Sequence, residues 1–173
     1  SGCPGGSPED KTPNWVTCPW PDDFSEILEY QWNDVLIPYW KEKVAFAKAH
    51  NVHKIALELH PGFCVYNTRS LLKLREAVGP EIGANLDPSH LIWQGMDLIA
   101  VIRELGKANA IFHFHAKDTK VDAINTAVNG VLDTQHYSEE LTRSWIFRSV
   151  GYGHGEDYWK AIASELRLAG YDY

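Results

Sequence analysis

The chain has 173 residues, enough for one domain with a sizeable core, and 23 acidic against 16 basic residues leave it at a net charge of −7. That balance argues against nonspecific binding to nucleic acid or to an anionic membrane, both of which need a basic face. No apolar stretch nears the roughly 20 residues of a membrane span, and the polar, Gly/Pro-rich start "SGCPGGSPEDK" does not read as a signal peptide.

Residues 1–21 read as loop, because Gly2, Pro4, Gly5, Gly6, Pro8, Pro13, Pro19 and Pro21 leave no room for a regular element. Residues 22–50 carry Phe24, Ile27, Leu28, Trp32, Val35, Leu36, Tyr39, Trp40, Val44 and Ala47 at helical spacing. Pro38 predicts a kink or a split in this helix. Residues 51–173 then alternate strands with helices. "HKIALELHP" is a short apolar strand ending near Glu58. "TRSLLKLREAVG" is a helix capped by Asn67 or Thr68 and followed by Gly79. "IGANLDPSH" is a strand ending at Asp87, and "MDLIAVIRELG" a helix stopped by Gly106. "AIFHFHAKD" is a third strand, with His113 and His115 on one face. Residues 120–155 read as a long loop with a short hairpin, and "EDYWKAIASELRLAG" as the last helix. This order predicts βα units on a parallel sheet whose strands are buried on both faces. Cys3, Cys18 and Cys64 are odd in number and form no CxxC pair, which reads as reduced thiols in a cytoplasmic protein.

Three successive strands end in a residue able to bind metal: Glu58, then Asp87 with His90 three residues on, then His115. Sites on parallel α/β sheets and barrels form at the C-terminal strand ends. Two carboxylates and an imidazole aimed at one rim suit a divalent cation such as Mn²⁺, Mg²⁺, Co²⁺ or Zn²⁺. A cation would also explain an acid at the end of a buried strand, where an unpaired charge is costly. Singly, each residue has a structural reading as well: a salt bridge for Glu58, an Asp-initiated turn for "DPSH", a hydrogen-bonded core histidine for His113.

"LELHPGF", "GANLDPSHLIWQG" and "HFHAKDT" resemble the sugar phosphate isomerase/epimerase family, which has the xylose isomerase-like TIM barrel. The resemblance runs over nearly the whole chain. It implies an α/β fold, a partial (β/α)8 barrel in one domain. A complete barrel takes about 250 residues, so the chain reads as a fragment that lacks strands one to four and eight. It further implies a metal held by Glu58, Asp87, His115 and a Glu on strand eight, with His90 on metal or substrate. That last Glu has no counterpart here. Two departures set the chain apart from ketose 3-epimerases: Cys64 stands where they have a second Glu, and Val121 where they have an Arg. Lys117 and Asp118 instead follow the His-x-Lys-Asp form of the broader isomerase and dehydratase branch.

The chemistry implied is proton abstraction next to a carbonyl through an enediolate, on a sugar or sugar phosphate. Glu58, His90 and Lys117 are the catalytic candidates. His60, Trp93, His113, Arg148 and His154 are candidates for substrate contact, with Arg143 beside Arg148 as a second anion-binding group. Homo-oligomers are common in the family. Three alternatives stand beside isomerisation: a dehydratase or lyase on a keto-sugar or inosose, a non-catalytic ligand-binding barrel, and an AP endonuclease. The last needs extra His ligands that "DTQH" at 133–136 does not space correctly.

Overall fold

A computed structural model describes residues 2–172. The chain divides into two compact units, one running to Asn85 and the other beginning at Leu86.

In the first unit, helix α1 (Asp23–Tyr30) passes through a π-helical turn (Gln31–Leu36) into α2 (Ile37–Ala49). The break expected at Pro38 therefore lies before it. Pro38, which has no N–H to give, is the second residue of α2, directly after the π turn. The π turn buries Gln31, whose Nε2 donates to the carbonyls of Pro4 (3.0 Å), Gly5 (3.3 Å) and Asn14 (2.7 Å). One buried amide thus fastens the loop that composition leaves without an element. Strand β1 (Ile55–Glu58) and helix α3 (Thr68–Val78) follow. Asn67 caps α3 by accepting from Ser70 N at 2.8 Å, while the Ser70 hydroxyl accepts from Asn67 N. Strand β2 (Ile82–Leu86) pairs in parallel with β1, setting Ile55 opposite Ile82 and Glu58 opposite Asn85.

The second unit contains α4 (Pro88–Ile92), α5 (Leu98–Lys107), β3 (Ile111–Phe114), β4 (Asp118–Val121), α6 (Ala123–Asn129), β5 (Trp145–Arg148) and α7 (Glu156–Leu168). In the first unit β1 and β2 are neighbours in an open sheet. Parallel strands and helices alternate without closing a barrel, as a partial (β/α)8 architecture requires. Burial on both faces holds for β2 alone; Ala56 on β1 and His113 on β3 are exposed. No helix of the described residues is long and apolar enough to cross a membrane.

Two sequence expectations need correction here. Residues 120–155 hold the expected antiparallel pairing, but with a helix inside it rather than a loop alone. β4 and β5 pair antiparallel, with Asp118 opposite Arg148, and α6 lies between them, started by Asp122 accepting from Ile124 N and Asn125 N. Seven residues are too few for helical periodicity to stand out. Gly106, in turn, does not stop α5 but lies inside its last turn. Its lack of a side chain serves a close approach, since a Cβ there would lie 2.7 Å from Ala169 Cβ. Gly106→Ala should accordingly destabilise by about 1 kcal/mol in urea unfolding. The crowding, about 1–3 kcal/mol, outweighs the helix-propensity gain of about 1 kcal/mol.

Candidate functional site

Glu58 is the last residue of β1 and is half-buried. His60, two residues on, turns its ring back to the chain: Nδ1–H donates to Pro61 O at 2.6 Å, and the ring tilts over Phe63 with centroids 4.9 Å apart. One ring nitrogen is thus committed to the turn.

In the second unit Asp87 follows β2 directly and is 1% exposed. It caps α4: Oδ1 accepts from Ser89 N (2.9 Å) and from the Ser89 hydroxyl (2.6 Å). This local bonding is what "DPSH" encodes, with Pro88 placed where a helix tolerates it. The cap turns Oδ2 toward two other predicted residues, His90 Nε2 at 3.5 Å and Lys117 Nζ at 3.0 Å. Asp87 is thus the carboxylate that the fold gives Lys117 as a partner. Phe147 completes the group. Its ring lies 4.4 Å from Lys117 Nζ and meets the His90 ring edge-on at 5.3 Å. The carboxylate of the Asp87–Lys117 pair is buried, while Lys117 keeps 39% of its side chain in solvent. His115 N–H donates to Leu86 O at 2.9 Å, so His115 lies beside the residue that precedes Asp87. Its exposed ring meets that of His113 edge-on at 5.2 Å. His113 is itself exposed on β3, which corrects its reading as a core histidine.

Asp118 is the residue whose weight sequence reasoning missed. It is fully buried and gathers six donors. Oδ1 accepts from Thr119 N and from His154 Nδ1–H, both at 2.8 Å. Oδ2 accepts from Gly151 N (3.2 Å), Gly153 N (3.0 Å), His154 N (2.9 Å) and Trp159 Nε1 (3.1 Å). Burial alone would push this carboxyl up; the His154, Trp159 and Gly153 donors outweigh it and hold the group below the ordinary Asp range. Gly153 must be glycine, since a Cβ would lie 2.4 Å from Thr119 O and 2.6 Å from Asp118 Oδ1. His154 is thereby oriented, with Nδ1 committed to Asp118 and the ring stacked on Tyr158 at 4.3 Å. Burial, helped by the Asp118 and Asp97 charges, pushes the Tyr158 phenol up to about 12.

Of the remaining candidates, Trp93 is buried and stacks on Trp145 at 4.6 Å with rings 3° from parallel, a packing role. Arg148 pairs with Glu140. Arg143 is no free anion-binding group: it is 2% exposed, lies over the Tyr137 and Trp145 rings, and donates from Nε to Trp145 O at 3.1 Å.

Comparison with known proteins adds the family context. The model of the xylose isomerase-like TIM barrel matches residues 13–173. The uncharacterized protein YfiH of Bacillus subtilis (strain 168) is 47% identical over 174 residues, an alignment covering 99% of this chain and 55% of YfiH. The chain thus spans about half the length of that curated relative.

Proposed function

Because the chain belongs to the xylose isomerase-like TIM-barrel family, we propose that it serves a metal-dependent sugar or sugar phosphate isomerase/epimerase. The supporting observation is the arrangement of strand ends. Glu58 stands opposite Asn85 on β2, His115 bonds to Leu86, and Asp87 is the next residue of that same strand end. We take Glu58, Asp87 and His115 as the residues that would hold the ion. Two carboxylates and an imidazole are the hard-oxygen and borderline-nitrogen donors that Mn²⁺, Mg²⁺, Co²⁺ or Zn²⁺ takes. When bound, such a cation supplies Lewis-acid polarisation of a carbonyl and its neighbouring hydroxyl.

The protein's own groups do the rest. Glu58 takes the proton from the carbon beside the carbonyl, leaving an enediolate. The Lys117 ammonium donates to the oxygen on which negative charge develops, and Asp87 holds that ammonium in place. His90, buried beside Asp87 and Phe147, orients a substrate hydroxyl. His154, fixed through Nδ1 by Asp118, contacts the substrate with its other nitrogen.

Incubation in D₂O with Mn²⁺ and a set of ketoses, aldoses and their phosphates tests the reading. Deuterium is expected at the carbon next to the carbonyl, read by NMR, in protein that carries about one divalent ion per chain. Loss of water from the substrate would assign the dehydratase branch instead. Neither exchange nor elimination, with no metal retained, would reject both.

A further inference from the structure

Cys3 and Cys64 lie far apart in sequence, yet their thiols are in hydrogen-bond contact in the first unit. The backbone holds them there: Cys64 N–H donates to Gly2 O at 3.0 Å. The buried Gln31 amide spans both sulfurs, with Nε2 at 3.9 Å from Cys3 Sγ and Oε1 at 3.9 Å from Cys64 Sγ. The Cys3 thiol also donates to Asn14 O at 3.1 Å. The third cysteine, Cys18, is exposed, and its thiol donates to Trp20 O at 3.1 Å. Two thiols held together by a backbone bond and a shared amide need little movement to join.

We propose that Cys3 and Cys64 form a reversible disulfide, a redox clip that fastens the segment around Gly2–Gly5 to the loop that follows β1. With a diazene oxidant such as diamide, the Cys3 sulfur adds to one nitrogen and its proton passes to the other. The Cys64 sulfur then attacks the Cys3 sulfur, the S–S bond forms, the S–N bond breaks, and both protons and both electrons leave on the hydrazine. Cys3 is the first to react because Cys64 is the more deeply buried of the two. Burial pushes the Cys3 thiol up and the Cys64 thiol up to about 12, so the pair reacts slowly at neutral pH and faster as pH rises.

The test uses Cys18→Ser protein treated with diamide at pH 8. Its intact mass is expected to fall by two hydrogens. A Cys3–Cys64 linked peptide is expected on digestion without reductant, and dithiothreitol restores the starting mass. Adding Cys3→Ser or Cys64→Ser should abolish the mass change. Closing so long a loop should raise the melting temperature by about 5 °C or more. Cys3 and Cys64 that remain separately alkylatable at unchanged mass, or links only between molecules, would overturn the disulfide. A linked protein that melts no higher than the reduced one would overturn its role as a clip.

Discussion

Asp118→Ala is expected to lose about 3–5 kcal/mol of stability in urea unfolding. The carboxylate is fully buried and its removal strands three loop N–H groups, the Thr119 N–H, the Trp159 indole and the His154 ring. Each buried donor left unsatisfied costs about 1–3 kcal/mol, and partial entry of water keeps the total below their sum. Asp118→Asn should fall between the two, because one amide oxygen still accepts while the NH₂ faces donors. The sign of the pH dependence follows from the depressed pKa. The stabilisation is fully present above the unfolded-state value of about 3.9 and is lost as pH falls through the lower folded-state value. Wild-type stability should therefore drop steeply below about pH 4, and Asp118→Ala should flatten that drop. Equal acid sensitivity in the two proteins would show that the Asp118 network is not its source.

Asp87→Asn and Glu58→Gln are each expected to weaken Mn²⁺ binding by more than about 100-fold, measured by equilibrium dialysis on folded protein. Both substitutions keep the shape and remove the charge that the proposed centre needs. Asp87→Asn should have a second consequence, because Lys117 loses the carboxylate that holds its ammonium at 3.0 Å. Lys117→Met separates the two roles. It should leave Mn²⁺ affinity within a few-fold while abolishing deuterium exchange into substrate. Metal content unchanged in Glu58→Gln would remove Glu58 from the ligand set.

The helices, the parallel strands and the strand-end acids were legible because their signals are local. Apolar spacing marked α3, α5 and α7. Asn67 and "DPSH" carried their caps in the residues themselves. An acid closing an apolar run singled out Glu58 as a residue that needs a partner. The family motifs "LELHPGF" and "HFHAKDT" are equally local, and the matched family agrees with them.

Other features rest on residues distant in sequence. The Asp118 network joins one residue of β4 to a Gly-rich turn more than thirty positions on, with |i−j| of 33 to Gly151. Nothing in "AKDT" distinguishes that Asp from a solvated one. Arg143 resembled a loop cation until the fold enclosed it among Tyr137, Trp145 and Asp133. Nothing local pairs Lys117 with Asp87, and only the geometry of the α4 cap presents that carboxylate. The sequence by itself determined the longer helices and the strands that end in Glu58 and Asp87, since periodicity, capping and burial cost act within a few residues. Tertiary structure alone decided which polar groups distant in sequence meet. Those pairings depend on side chains brought within hydrogen-bond range by packing, a distance that sequence separation does not encode.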